Sequence, residues 1–171
     1  ARSLGKRLLG LSIDVAYSSD LRRTSETAKL ALSDRDVVLH QTPMLREYHK
    51  GEFESMTLPG VKEQFPGEYP KYLEKNLDYA PKGGESTREV SARISRIIGE
   101  IKSEHMNQTV LIVSHGGVLR AAMVSPLGMP LTGHSSFCLG NVRLLLLYTL
   151  YTNRLLCHSQ PVQHLHGAIH N

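Results

Sequence analysis

One stretch constrains the fold of this chain more than any other, because it joins a buried strand directly to the start of a helix. The stretch reads Thr109-Val-Leu-Ile-Val-Ser-His-Gly-Gly-Val-Leu-Arg-Ala-Ala-Met123. Residues 110–113 form a short, continuous apolar run, which is typical of a parallel strand covered on both faces. The glycine pair that follows lets the backbone turn closely into a helix from Val118 onward. The pattern predicts an α/β fold with a mainly parallel sheet.

His115 stands where this strand ends, next to Gly116 and Gly117. In open α/β sheets, ligands bind beyond the carboxyl ends of the strands, and helix N-termini attract anions. A histidine over two bare backbone amides therefore favours phosphate chemistry. The alternative is a core histidine that only packs at the end of a strand.

A second strand-to-helix junction of the same design lies at residues 13–28. Its apolar start predicts a strand over residues 13–17, and Ser18 and Ser19 are natural N-cap residues for the helix that follows. Arg22 and Arg23 come next. Because a guanidinium matches phosphate oxygens better than an ammonium does, we expect one of them to fold over the strand end. The other is then an ordinary solvated arginine.

Two further segments indicate a loop with candidates for proton transfer and the start of a helix. The loop-like stretch Leu45-Arg-Glu-Tyr-His-Lys-Gly-Glu-Phe-Glu54 offers glutamates and a histidine for proton transfer, and loops carry such groups more often than element interiors do. Ser86 and Glu89 have the spacing of a capping box, which marks the start of a helix. Apolar residues then recur at helical spacing at positions 90, 94, 97, 98 and 101, and this stripe is predicted to be core.

The order of these four pieces resembles the histidine phosphatase (phosphoglycerate mutase-like) superfamily. The motifs are Y-S-S-D-L-R-R-T-x-x-T-A, L-R-E-x-x-x-G-E-F-E, G-G-E-S and V-S-H-G-G-V-L-R, and the resemblance runs from about residue 4 to residue 150. It implies a three-layer α/β/α fold with a mainly parallel sheet. We expect a single domain over residues 1–171, with a helical insert at about residues 57–80 that its prolines and glycines break into short pieces.

The resemblance also implies roles for particular residues. Arg23, His115 and the amide of Gly116 match the phosphate pocket of the family, in which His115 also counts as a catalytic residue. Glu47 matches the proton donor to the leaving group. The implied function is that of a phosphomonoesterase, which works through a phosphohistidine intermediate on small phosphorylated metabolites without a cofactor or metal. Phosphoglycerate mutase-type phosphotransfer and a catalytically inactive binding module remain alternatives.

One departure from the family pattern concerns the nucleophile, a histidine in an R-H-G motif at the end of the first strand. The 171 residues contain no such motif. Leu165-His166-Gly167 lacks the arginine and a preceding apolar strand, and His40 lacks the glycine turn. We therefore expect the first strand and the nucleophile to lie upstream of Ala1, and we expect enzyme activity only in a protein that contains them. A truncated isoform and a degenerate relative are the alternatives.

Composition and charge limit which classes of partner this chain is expected to bind. The net charge of +4 and the pI near 9.1 suit an anionic substrate, whereas the cations are not clustered as nucleic-acid binding requires. No apolar run reaches the length of a membrane span, so no membrane partner is expected, and the oligomeric state is left open. The two cysteines, Cys138 and Cys157, form no C-x-x-C pair and favour a reduced, cytoplasmic location.

A histidine-rich C-terminal run invites interpretation as a metal site. We interpret it instead as a solvated tail, because its histidines lie on no predicted helix face with carboxylate or cysteine support. They are His158, His164, His166 and His170.

Overall fold

The computed structural model describes residues 2–33, 35–74, 76–124, 130–136 and 145–148, so the C-terminal histidines lie outside the described residues. Within these ranges the strands form one sheet in the order β2-β1-β3-β4. The first three strands are parallel to one another, and β4 is antiparallel to β3. The strands are β1 (Val15–Ser19), β2 (Val38–Thr42), β3 (Thr109–Val113) and β4 (Leu145–Tyr148). The prediction of a mainly parallel sheet is confirmed.

The helices of the described residues surround this sheet. Short 3-10 turns at Pro43–Leu45, Gly51–Phe53 and Leu131–Ser136 connect some of them. None of the described helices is long and apolar enough to cross a membrane. The helices are α1 (Arg2–Leu8), α2 (Arg22–Ala31), α3 (Leu58–Gln64), α4 (Tyr69–Leu73), α5 (Thr87–Glu104) and α6 (Gly116–Val124).

Both faces of the sheet are covered, as the continuous apolar run of β3 predicts. Because successive side chains of a strand point to opposite faces, Val110 and Ile112 enter one core while Leu111 and Val113 enter the other. Helices α5 and α6 pack on the first face, and helices α1 and α2 pack on the second. The result is the three-layer arrangement that the sequence implied.

The first junction differs from its prediction in one respect. Ser18 and Ser19 do not cap α2, because both are buried members of β1 and pair in register with Gln41 and Thr42 of β2. The N-cap position falls to Leu21, which has no side-chain capping bond. Pairing with the neighbouring strands thus keeps the two serines extended and overrides their local preference for a cap.

Strand β3 is paired on both sides. It pairs with β1 on one side and with β4 on the other, from Thr109 opposite Tyr148 to Ile112 opposite Leu145. The antiparallel strand therefore satisfies this edge.

Two short helices lie in the segment where an insert is expected, at about residues 57–80. Helix α3 is capped by the hydroxyl of Thr57, and Pro59 lies in its first turn. Pro70 holds the same place in α4. Proline is tolerated there because the first amides of a helix have no intrahelical partner, so it fixes where each short helix begins.

The capping box of α5 is present in full. The Ser86 hydroxyl accepts from the Glu89 amide, and the Glu89 carboxylate accepts from the Ser86 amide at 2.8 Å. The predicted apolar stripe is buried along the same helix, at Val90, Ile94, Ile97, Ile98 and Ile101. Helix α5 is thus fixed both at its start and along its inner face.

Substitution Ser86→Ala should lower the free energy of unfolding by roughly 1 kcal/mol, because it leaves orphan amides of α5 without their acceptor. Urea denaturation measures the change. Ser95→Ala is the matched control, since Ser95 is exposed in the interior of the same helix, where alanine is the better helix former. An equal loss in the two variants would contradict the role of the cap.

Candidate active site

The candidate site lies at the edge of the sheet where β1 and β3 end. Because these strands are parallel, their carboxyl ends meet at the same edge. His115 follows β3 by two residues, and Arg23 lies in the first turn of α2, which follows β1. The two junctions predicted from the sequence therefore converge on one place.

His115 is buried and held by two hydroxyl groups. Its Nε2 atom lies 3.0 Å from Ser19 Oγ and 3.0 Å from Thr24 Oγ1. Sequence reasoning missed both partners, since it assigned Ser19 to a helix cap and gave Thr24 no role. The signal that could have found Ser19 is its place at the end of the strand that pairs with β3.

The surroundings of His115 lower the pKa of its imidazole and so favour the neutral form. Burial lowers the pKa of its imidazole, and the nearby positive charge of Arg23 lowers it further, while Glu47 and Asp20 oppose the shift. Arg23 is thus the arginine that acts on the histidine. Arg22 instead pairs with Glu26 on the exposed surface of α2, at 2.7 Å. Both arginines are exposed, and they differ in that Arg22 has an acidic partner on its own helix whereas Arg23 acts on His115.

Glu47 reaches the site from the loop after β2. Its carboxylate accepts hydrogen bonds from the amides of Gly117 at 3.2 Å and Val118 at 3.3 Å, so it lies against the N-terminus of α6. The first amides of a helix point outward without partners, so they can donate to this carboxylate. Gly116 opens the same helix and contributes another of these amides.

Gly117 allows this close approach. A Cβ atom at this position would lie 2.6 Å from Oε1 of Glu47 and 2.9 Å from the ring of Tyr48, which is closer than real Cβ contacts allow. The second glycine of the pair therefore makes room for the carboxylate, whereas the sequence suggested only a tight turn.

The loop that carries Glu47 is tied down by Arg93 of α5. The Arg93 guanidinium donates to the carbonyl groups of Met44 at 2.7 Å and Arg46 at 3.0 Å, and it forms a two-point ion pair with Glu85. These contacts join residues from distant parts of the chain, so no short-range pattern predicts them.

Ser114 anchors the same loop from the other side. Its hydroxyl donates to the carbonyl of Leu45 at 2.7 Å. Of the other two glutamates in this stretch, Glu54 accepts from the amide of Lys50 within its own turn, which is a local structural role.

A cavity of about 410 Å³ opens beside Glu47 and Gly117. Tyr72 and Tyr79 of the insert line it, and Arg120 of α6 does so as well. The insert thus forms part of the wall of the site. No group of three or more potential metal ligands occurs among the residues that the structure describes.

This sheet edge thus holds a histidine near Arg23 and a carboxylate at the N-terminus of α6. The chain belongs to the histidine phosphatase superfamily (branch 1), whose family model matches residues 1–156. The sequence resemblance to this family is therefore confirmed.

Several enzymes of this superfamily are similar in sequence. The chain is 31% identical over 137 residues to phosphoserine phosphatase 1 of Hydrogenobacter thermophilus, and 31% identical over 130 residues to adenosylcobalamin/alpha-ribazole phosphatase of Escherichia coli. It is 32% identical over 136 residues to 2,3-bisphosphoglycerate-dependent phosphoglycerate mutase of Bartonella henselae. These matches cover 80%, 76% and 75% of this chain but only 65%, 64% and 66% of the relatives. The chain thus spans somewhat less than two thirds of their length.

Solved structures show the same fold. Bacillus stearothermophilus YhfR superposes with a TM-score of 0.82 at 27% identity, over 95% of this chain and 81% of that one. The alpha-ribazole phosphatase from Shigella flexneri superposes with a TM-score of 0.83 at 25% identity, over 94% of this chain and 79% of that one. The phosphoglycerate mutase-like fold class is confirmed by this agreement.

The lowered pKa of His115 predicts a pH dependence of stability. The unfolded chain takes up a proton near the ordinary histidine pKa of 6.5, whereas the folded state resists it. The contribution is therefore fully present above about pH 6.5 and is lost as the pH falls through the lower, folded-state pKa. Unfolding free energies measured from pH 7.5 to pH 5 should fall less steeply in His115→Gln than in the unchanged chain. An NMR titration that places the His115 pKa above 6.5 would contradict the assignment.

Proposed function

We propose that the protein to which this chain belongs is a phosphomonoesterase for small phosphorylated metabolites, and that it works through a phosphohistidine intermediate. The observation that carries the proposal is the convergence of His115, Arg23 and Glu47 at one sheet edge, beside the first amides of α6. The phosphatase relatives support it. The domain is proposed to be single over residues 1–171, with the insert at about 57–80.

Phosphate binding is assigned to Arg23, His115 and the amide of Gly116. Arg23 supplies positive charge, and the neutral His115 ring donates one N–H to an equatorial oxygen. The helix N-terminus adds outward-pointing amides at the same place. These donors are fixed before the reaction begins, so they stabilise the charge of the transition state without reorganisation. The cation offsets the phosphate charge, and the proposed route requires no metal or other cofactor.

Glu47 is assigned the proton transfers. In its protonated form it gives a proton to the leaving oxygen as the P–O bond breaks, and the resulting carboxylate later takes a proton from water. Its place supports this role, because the carboxylate lies against α6 and also lines the cavity. The alcohol part of the substrate can therefore leave on that side.

The nucleophile is proposed to be a histidine supplied by sequence upstream of Ala1. Its ring nitrogen forms a P–N bond while the P–O electron pair passes to the leaving oxygen, and water then attacks the phosphohistidine to release phosphate. Two observations support an additional segment: the 171 residues contain no R-H-G motif, and they span less than two thirds of the relatives. We also propose a cytoplasmic location, because Cys138 and Cys157 do not form a C-x-x-C pair.

Phosphoglycerate mutase-type transfer is a second candidate, because a mutase relative is 32% identical to this chain. It differs from hydrolysis only in the acceptor of the phosphoryl group. Release of inorganic phosphate from a monoester in water favours the phosphatase, and transfer between two positions of one substrate favours the mutase.

In the protein that carries the upstream histidine, Glu47→Gln should lower kcat by about 10²–10⁴-fold, the usual contribution of general acid catalysis. Steady-state hydrolysis of p-nitrophenyl phosphate and of a poorer leaving group, phenyl phosphate, measures the loss. The loss should be greater for phenyl phosphate, which depends more on the proton. Glu52→Gln is the matched control from the same loop. A larger loss from Glu52→Gln would show that the loop is assigned wrongly.

The 171-residue chain itself should bind inorganic phosphate weakly and should not hydrolyse p-nitrophenyl phosphate, since it has no nucleophile in the proposed position. Arg23→Gln should weaken phosphate binding by about tenfold, as expected for the loss of a charge-assisted hydrogen bond. Its neighbour Arg22 is the matched control, because that guanidinium already pairs with Glu26. NMR titration with phosphate measures both. Equal effects, or turnover that His115→Ala abolishes, would count against the proposed roles.

A further inference from the structure

One ion pair holds the backbone on both sides of Glu47. The Arg93 guanidinium donates to the carbonyl of Arg46, the residue just before Glu47, at 3.0 Å. Its partner Glu85 accepts from the amide of His49, two residues after Glu47, also at 3.0 Å. The short segment that carries the Glu47 side chain is therefore bound at each end by the same pair of residues.

The geometry of this ion pair is well defined. Arg93 Nε and Nη2 each lie 2.9 Å from one oxygen of the Glu85 carboxylate, so the contact is bidentate. The third nitrogen, Nη1, donates to the carbonyl groups of Met44 and Arg46. Only 15% of the Arg93 side chain and 27% of the Glu85 side chain are exposed, so solvent screens the pair less than it screens a surface pair.

The direct contacts of the Glu47 carboxylate are long by comparison. It accepts from the amides of Gly117 at 3.2 Å and Val118 at 3.3 Å, and from the amide of its neighbour Tyr48 at 3.2 Å. These distances lie at the long end of the usual range for N–H···O bonds. The shorter and partly buried contacts of Arg93 are therefore better suited to fix where the Glu47 backbone lies.

We propose that Arg93 and Glu85 are positioning residues for the proton transfer, because they hold Glu47 at the distance from which it protonates the leaving oxygen. The inference rests on the proposed phosphomonoesterase function and adds two residues that act through Glu47. Arg93 lies on α5 and Glu85 just precedes it, so the placement of this capped helix is passed to the loop. A misplacement of about 1 Å can lower a reaction rate on the order of 10²-fold.

The test is a double-mutant cycle in the protein with its upstream segment, with Arg93→Lys and Glu47→Gln made singly and together. Arg93→Lys keeps the positive charge that acts on His115 but loses the fork of donors. We expect it to lower kcat for phenyl phosphate by about 10–10²-fold, with a smaller loss for p-nitrophenyl phosphate and little change in KM. In the Glu47→Gln background the same substitution should have little effect on kcat, since no proton transfer remains to be misaligned.

Glu85→Gln is the second variant of the ion pair. It keeps the shape of the side chain but removes the charge, and it should reproduce the dependence on the leaving group. Thermal unfolding shows which variants are folded, and if only one of Arg93→Lys and Glu85→Gln folds, that variant decides. Failure of both to fold would show a role in stability and would overturn the inference.

Arg88→Lys is the matched control. Arg88 lies on the same helix and also makes a bidentate ion pair, in this case with Asp78. Its described hydrogen bonds go to Asp78 and Leu77, outside the loop of Glu47. This substitution should therefore leave kcat for both esters unchanged, and a loss as large as that of Arg93→Lys would contradict the assigned role.

The outcomes separate this inference from the function on which it rests. Equal losses from Arg93→Lys with and without Glu47 would overturn the inference and leave the phosphomonoesterase proposal standing. Hydrolysis of neither ester by the unchanged protein would overturn the phosphomonoesterase proposal. In that event the amide protons of Gly117 and Val118 still report the position of Glu47 by NMR. Their chemical shifts should move in Arg93→Lys toward the values in Glu47→Ala, and unchanged shifts would overturn the inference.

Discussion

The free amides at the start of α6 are the constraint on which the site depends. A helix that begins at the end of a buried strand leaves its first N–H groups without partners, and burial makes such groups costly. Glu47 satisfies two of them through Gly117 and Val118. The amides of α6 thus hold the Glu47 carboxylate in place, and the carboxylate covers one side of the helix N-terminus. His115 precedes the same helix, so one backbone junction positions both groups.

Much of this arrangement could be predicted from local sequence. The apolar run of β3 and the capping box of α5 each have a short-range physical cause, and the structure confirms both. The glycine pair does not form a turn before the helix, because α6 already begins at Gly116. The residues alone left open which of the two arginines reaches the site, and only the family resemblance assigned this role to Arg23. Arg22 pairs with Glu26 one helical turn away. Convergence of the two junctions followed from the rule that parallel strands end at the same edge.

The rest of the site could not be predicted from local sequence, because it depends on contacts between residues that are far apart in the chain. Ser19 has the local character of a helix cap, but pairing across the sheet keeps it in β1, where it meets His115. The ties from Arg93 to the loop and the wall that the insert adds to the cavity also join segments far apart in the chain. No short window of sequence carries such information. The roles proposed for Arg23, Glu47, His115 and Gly116 remain predictions until activity is measured.

The contact between Glu47 and Gly117 has a consequence for how this site can vary. The two positions are 70 residues apart in sequence, but the space for a side chain at one is filled by the carboxylate of the other. A larger residue at Gly117 requires the carboxylate to withdraw, and a shorter acid at Glu47 would leave room beside the helix. The two positions therefore behave as a coupled unit, in which one substitution changes what the other can tolerate.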